Sequence, residues 1–143
     1  MLETFPLVWH FSIEYHDIDM MLHANHAAYI RWAESLRAEY FAQVMRTPIN
    51  GTQGMILASL QFNYERPLDY REKVAIGCKI SRVGNKSFDF YYDIWSEAHD
   101  ARAATGTTSM VAFDYTANES ITVPPEWRDG ITRYQNGVPH TLR

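Results

Sequence analysis

The chain has 143 residues, 46 % apolar and 14 % aromatic, with a net charge of −4. That size and composition suit one packed domain and exclude a disordered or fibrous protein. The acidic balance argues against nucleic acid as the main partner, because phosphate backbones are bound through an excess of Lys and Arg.

The first residues, Met1-Leu2-Glu3-Thr4-Phe5-Pro6, lack the basic and apolar stretches of a signal peptide, and no window approaches the ~18 apolar residues of a membrane span. A cytoplasmic protein without a membrane partner is expected. Val8, Phe11, Ile13 and Tyr15 alternate loosely and predict a first strand over 8–15. It runs into Asp17-Ile18-Asp19-Met20-Met21-Leu22-His23-Ala24-Asn25-His26, two acids, two imidazoles and an amide just before a helix. Asn25 suits the N-cap. From 25 to 45, Ala28, Tyr29, Trp32, Ala33, Leu36, Tyr40, Phe41 and Val44 recur at helical spacing, so the aromatics on this stripe read as core. Glu34 is placed to pair with Arg31 or Arg37, three residues away on either side. Thr47-Pro48-Ile49-Asn50-Gly51 stops the helix.

The period then drops to two. Leu60, Phe62 and Tyr64 alternate with polar residues, as do Val74, Ile76, Cys78 and Ile80, and each set predicts a strand with one buried face. Val83-Gly84-Asn85-Lys86 turns the chain into Phe88, Phe90, Tyr92 and Ile94, which completes a long hairpin. Ala98-His99-Asp100 turns it again into a last strand over 102–115. Pro125, in Pro124-Pro125-Glu126-Trp127, fits the first turn of a short C-terminal helix. Residues 1–143 thus read as one α+β domain, a curved antiparallel sheet on one long helix, with a C-terminal extension from about 124. An uncovered sheet face and edge predict a homodimer or a dimer of dimers. Cys78, alone and inside an alternating strand, reads as a small buried side chain.

Asp17 and Asp19, separated by one residue, point to opposite sides in extended chain, so at most one faces a given pocket. An Asp ahead of a helix is also an ordinary cap. His23 and His26 do not complete a metal-ligand pattern with them, and no metal is expected. Neither a Gly-x-Ser-x-Gly elbow nor a phosphate-binding glycine loop occurs. What remains is a carboxylate beside the positive end of a helix, where free backbone NH groups can bind a developing oxyanion. Between Arg66 and Lys86, six basic residues face two acidic ones, a local excess suited to a small anionic ligand.

These residues resemble the hotdog-fold acyl-CoA thioesterases of the 4-hydroxybenzoyl-CoA thioesterase type. The family pattern Asp-x-Asp-x-x-Gly-His-Val-Asn-Asn-x-x-Tyr is matched by Asp17, Asp19, His23, Asn25 and Tyr29, followed by Trp32, Glu34 and Arg37. Phe62-Asn63-Tyr64-Glu65-Arg66-Pro67-Leu68 and Arg82-Val83-Gly84-Asn85-Lys86-Ser87-Phe88 resemble its later segments. Leu22, Ala24 and His26 depart from the pattern, and a leucine in place of glycine predicts ordinary backbone angles at 22.

The resemblance implies a hotdog fold of about five strands around one helix and hydrolysis of an acyl-CoA thioester without a separate cofactor. It puts the catalytic carboxylate on the Asp pair, with Asp17 favoured and Asp19 its rival. Asn25 and His23 belong to the same catalytic set, His23 as a hydrogen-bonding organiser of the turn or a group near the reacting carbonyl, and the NH of Leu22 or His23 receives the carbonyl oxygen. Arg82, Lys86 and Ser87, with Arg66, are implied at the CoA phosphates. An acyl-thioester hydratase or dehydratase and a non-catalytic acyl-CoA-binding protein are the alternatives.

Overall fold

Five long strands carry the sheet in the computed structural model, which describes residues 2–46, 51–135 and 140–142. They are β1 (Leu7–Ser12), β2 (Gln53–Tyr64), β3 (Lys73–Val83), β4 (Ser87–Ser96) and β5 (Ala101–Asp114), with short β6 (Glu119–Ser120) and β7 (His140–Leu142). The helices are α1 (His26–Glu39) and α2 (Pro125–Gln135). The strand order is β2-β5-β4-β3-β1-β7, with β6 beside β5. Neighbours are antiparallel except β1 and β7.

Local rules explain the ends of α1. The Asn25 side chain accepts the Ala27 amide at 2.9 Å, the expected cap. His26 is the first helical residue. At the other end the helix widens into a π-turn, Tyr40–Val44, closed by the Met45 amide on the Tyr40 carbonyl, and Arg46 at φ 56° ends it. The expected turn at 47–50 lies outside the described residues.

The inward faces of β3 and β4 follow their period of two. Val74, Ile76, Cys78, Ile80, Phe88, Phe90, Tyr92 and Ile94 are buried with Ala28, Tyr29, Trp32, Ala33 and Leu36 of α1. Each large apolar side chain moved from water contributes ~1.5–3 kcal/mol. Beyond the helix end, Trp127 of α2 closes the core edge-on to Phe41 and Phe88.

Four expectations change. β1 stops at Ser12, and Tyr15–Asp17 is a 3-10 turn instead of more strand. On β5 the buried face is Ala104, Thr108, Met110 and Ala112, while Val111 and Phe113 lie on the outer face. The inner residues are small because the Phe62 ring lies across them: a Cβ on Gly106 would stand 2.3 Å from it. The outer face is not bare either, since Leu2, Phe5 and Val8 pack on Ala75 there and the Phe5 ring occupies the space above Gly77.

The largest difference is β2. It has no continuous buried face of its own: Leu60 is 41 % and Tyr64 48 % exposed, and only Gly54, Met55 and Phe62 turn inward. It is the terminal strand of the sheet, bonded to β5 on one side alone.

Candidate active site

The turn before α1 is a small closed hairpin. The Asn25 amide bonds the Asp17 carbonyl at 2.7 Å, the Asp19 amide bonds the His23 carbonyl at 3.2 Å, and Ile18 pairs with Ala24. Its tip, Met20-Met21-Leu22, is exposed. Leu22 has φ 64°, so the residue standing where the family pattern has glycine still adopts glycine's left-handed conformation, contrary to the expectation of ordinary angles. The amide of Leu22 is spent on the Asp19 carbonyl at 3.0 Å, which closes the tip.

The two acids stand in different surroundings. Asp17 is 3 % exposed. One of its oxygens accepts the Glu14 amide at 2.9 Å, and the other lies 3.5 Å from Arg31 Nη2 and 3.6 Å from His16 Nε2. Arg31 therefore serves Asp17 in preference to Glu34. Asp17 opens onto a cavity of about 290 Å³ on the β1 side, with Trp9, Phe11 and Trp32. Asp19 is exposed. It accepts the Met21 amide at 2.9 Å and Asn25 Nδ2 at 3.3 Å, and no cation pairs with it among the described residues.

On the β2 side of the helix start lies a cavity of about 370 Å³, lined by His23, Ala24, His26, Tyr29, Tyr64, Glu65, Arg66 and Pro67. The amides of His23 and His26 have no hydrogen-bond partner among the described residues. Both stand where a helix dipole is positive. The Tyr29 and Tyr64 rings meet edge to face at 4.9 Å, and burial pushes the Tyr29 phenol up to about 12. Arg66 brings a buried Nε with no partner to the same wall. His23 is tied to the loop after β2: its Nε2 is 3.4 Å from Asp69, and Ala24 bonds Leu68 at 2.8 Å.

Arg82, Lys86 and Ser87 are not at this end of the chain. Val83 pairs with Phe88 at one end of the β3/β4 hairpin and Val74 with Ser96 at the other. Tyr64 pairs with Ala104, the site end, whereas Ser87 pairs with Val111, the far end. Nine residue steps along the strand separate Lys73 from Arg82, about 30 Å. The six basic residues consequently do not form one patch. Lys79 lies over the Phe5 and Tyr91 rings, and Arg82 bonds Asp89 through two nitrogens at 2.7 and 2.9 Å and Ser87 at 3.0 Å. Lys86 is exposed.

No motif in the sequence points to Glu72, which is buried behind the loop. It accepts the Asp69 amide at 2.7 Å and the Ser96 hydroxyl, and its ligand atom lies within 4.8 Å of those of Asp69 and His99. Both of its oxygens are occupied by these bonds, which makes it a clasp between the loop and β4.

The family model described as the thioesterase-like superfamily matches residues 13–131. The chain belongs to that superfamily, and its curved antiparallel sheet with one long helix is the hotdog fold. Solved structures share it at low identity. The PA5185 protein from Pseudomonas aeruginosa is 20 % identical, with a TM-score of 0.83 over 94 % of this chain and 95 % of that one. A Staphylococcus aureus protein, SAV2348, solved in complex with CoA, is 14 % identical, with a TM-score of 0.84 over 98 % and 89 %. Slr0204, a 1,4-dihydroxy-2-naphthoyl-CoA thioesterase from Synechocystis, is 12 % identical, with a TM-score of 0.78 over 88 % and 95 %. No curated protein matches the chain by sequence. No helix among the described residues is long and apolar enough to cross a membrane.

Proposed function

We propose that the protein hydrolyses acyl-CoA thioesters to the free acid and CoA, as enzymes of the 4-hydroxybenzoyl-CoA thioesterase type do. The observation that carries the reading is an exposed carboxylate, Asp19, with no paired cation among the described residues, in the same turn as the His23 and His26 amides, which have no partner there either. Superfamily membership and the CoA complex of a structural neighbour support it.

The geometry supports the following roles. Asp17, with one oxygen on a backbone amide and the other beside Arg31, holds the turn. Asp19 is the reacting acid: as general base it removes a proton from water, the hydroxide adds to the thioester carbonyl, and the C–S bond breaks. The departing thiolate recovers the proton from Asp19. Direct attack of Asp19 on the carbonyl, followed by hydrolysis of the anhydride, balances equally well. The carbonyl oxygen is received by the His23 or His26 amide, a contact whose loss costs about 3–4 kcal/mol in comparable sites. Asn25 Nδ2 orients Asp19, and Arg66, on the wall of the cavity beside the helix start, stands on the thioester side of CoA.

The phosphate-binding residues come from a second copy. The outer edge of β2 has no strand partner among the described residues and exposes Ile56, Leu57, Leu60 and Tyr64, a surface that favours strand-to-strand association. A two-fold pairing of β2 with its copy is antiparallel, so it carries the partner's far end, with its Arg82–Ser87 hairpin, toward this chain's Tyr64 end. Either a dimer or a dimer of dimers built on it contains that contact.

The test is a thiol-release screen over short, branched, long and aromatic acyl-CoAs with product analysis. Free CoA and free acid are expected. An intact thioester with an altered double bond would instead indicate a hydratase or dehydratase, and binding without turnover a non-catalytic acyl-CoA-binding protein.

A further inference from the structure

Arg37 is 7 % exposed, yet no carboxylate answers it. Among the described residues its one hydrogen bond is donated to Tyr92 Oη, at a long 3.4 Å, and no ion pair includes it. Thr108 Oγ1 lies 3.0 Å from the same phenol and can take its proton, which leaves the Tyr92 oxygen free to accept from Arg37. A guanidinium carries five donors in a planar fork and does not deprotonate in proteins. Most of this fork therefore has no protein partner, and its nitrogens are not sealed in: among the described residues Arg66 Nε is the one sealed side-chain nitrogen or oxygen without a partner, so the free donors of Arg37 open onto the cavity beside them.

The fork lines a cavity of about 270 Å³ whose other walls are chiefly apolar, among them Phe41, Met55, Leu57 and Met110. A cavity of ~150 Å³ holds benzene, so this one accommodates a ring or the end of an alkyl chain. Glu34 also lines it, but is exposed, where solvent and salt screen its charge.

The cavity lies on the same seam as the helix-start cavity. That one takes Tyr29 from α1 and Tyr64 from β2; this one takes Arg37 from further along α1 and Leu57 from further back along β2. Arg37 stands three turns beyond His26, about 16 Å along the helix axis. Helical side chains lean toward the N-terminus, which brings the guanidinium back toward the thioester.

We infer that this cavity receives the distal end of the acyl group and that Arg37 selects acyl groups ending in a carboxylate over alkanoyl groups of equal length. The inference rests on the thioesterase reading. A planar, two-oxygen anion is the acceptor that matches the fork bidentately. The apolar walls suit the methylenes behind it.

Thiol release from matched pairs of ω-carboxyalkanoyl-CoA and alkanoyl-CoA, of about six to twelve carbons to bracket the ~16 Å span, tests it. At one or more lengths the carboxylated ester is expected to show a kcat/KM about tenfold higher or more. Arg37→Met brings that ratio to about one or below, and Arg37→Lys, which keeps the charge without the fork, restores only part of it. Equal or better turnover of the alkanoyl ester at every length by the wild-type protein overturns the inference, with no variant needed. An unchanged ratio in Arg37→Met does the same.

Calorimetry with the free dicarboxylic acids and the matched monocarboxylic acids reads the preference without turnover. If no thioester is cleaved, the hydrolase reading falls. A dicarboxylate preference that is lost in Arg37→Met then still supports the site, and the absence of any preference overturns it.

Discussion

Asn25 Nδ2 stands 3.3 Å from the Asp19 carboxylate while its Oδ1 receives the Ala27 amide at 2.9 Å. One side chain thus joins the first turn of α1 to the exposed acid, and whatever fixes the helix start also fixes Asp19. Asp17 belongs to the other side of the same device, under the turn and beside Arg31.

The two acids should consequently fail differently. Asp19→Asn is expected to lower kcat by at least ~10²-fold, the scale of a general base, with little change in Tm. Asp17→Asn should lower stability by ~1–3 kcal/mol, because a buried acceptor is altered, while the folded fraction keeps most of its kcat. Steady-state kinetics beside thermal melts separate the two. The reverse pattern would return the chemistry to Asp17.

The proposed sharing of the site between two copies predicts complementation. Lys86→Ala should raise KM for an acyl-CoA but not for the matching acyl-pantetheine, which lacks the phosphates. Mixing inactive Asp19→Asn with Lys86→Ala and exchanging subunits should yield a heterodimer with one site free of both changes. Recovery of activity above the sum of the two parents, measured on the mixed sample, is the expected result. Simple additivity would mean that each chain supplies its own hairpin.

Leu22 bears a conformational cost. A left-handed residue with a side chain loses ~1–2 kcal/mol, and glycine there removes that penalty while adding ~0.5–1 kcal/mol of unfolded-state entropy. Leu22→Gly should therefore stabilise the protein by about 0.5–1 kcal/mol, read as a higher denaturation midpoint at unchanged m-value. A lower midpoint would show that the exposed Leu22 side chain makes a contact worth more than the strain, as a partner chain could supply.

Alkaline pH tests the buried phenols. Burial raises Tyr29 to about 12 and pushes Tyr40 and Tyr92 further up. Above pH 10 the unfolded chain loses phenolic protons that the folded one keeps, so the unfolded state binds fewer protons and stability falls as pH rises. For Tyr29 the contribution is complete below pH 10 and is lost between there and about pH 12, at up to ~1.4 kcal/mol per pH unit. Denaturant titrations from pH 8 to 11 should show the decline, and Tyr29→Phe should make it shallower.

The elements were legible from the chain because their causes are local. A period of two in Phe88, Phe90, Tyr92 and Ile94, a period of 3.6 from Ala28 to Leu36, and Asn25 at the cap each depend on neighbours a few residues away, so periodicity and capping rules reach them. The same holds for Pro125 at the start of α2 and for Gly84 in the hairpin turn.

Tertiary structure decided what depends on partners distant in sequence. Leu60 and Tyr64 alternate as a buried face would, yet they are exposed because β2 is the last strand of the sheet. Asp17 and Asp19 look equivalent in sequence, and only the fold puts one against the Glu14 amide and Arg31 and leaves the other exposed. The φ of Leu22 is set by closure of the 18–24 hairpin, which overrides the preference of its own side chain. The Arg82–Ser87 hairpin and the helix start belong to one family pattern but lie at opposite ends of the same sheet. Arg37 has the sequence of a solvated helix charge and the position of a buried donor, because burial is a property of what the sheet wraps around.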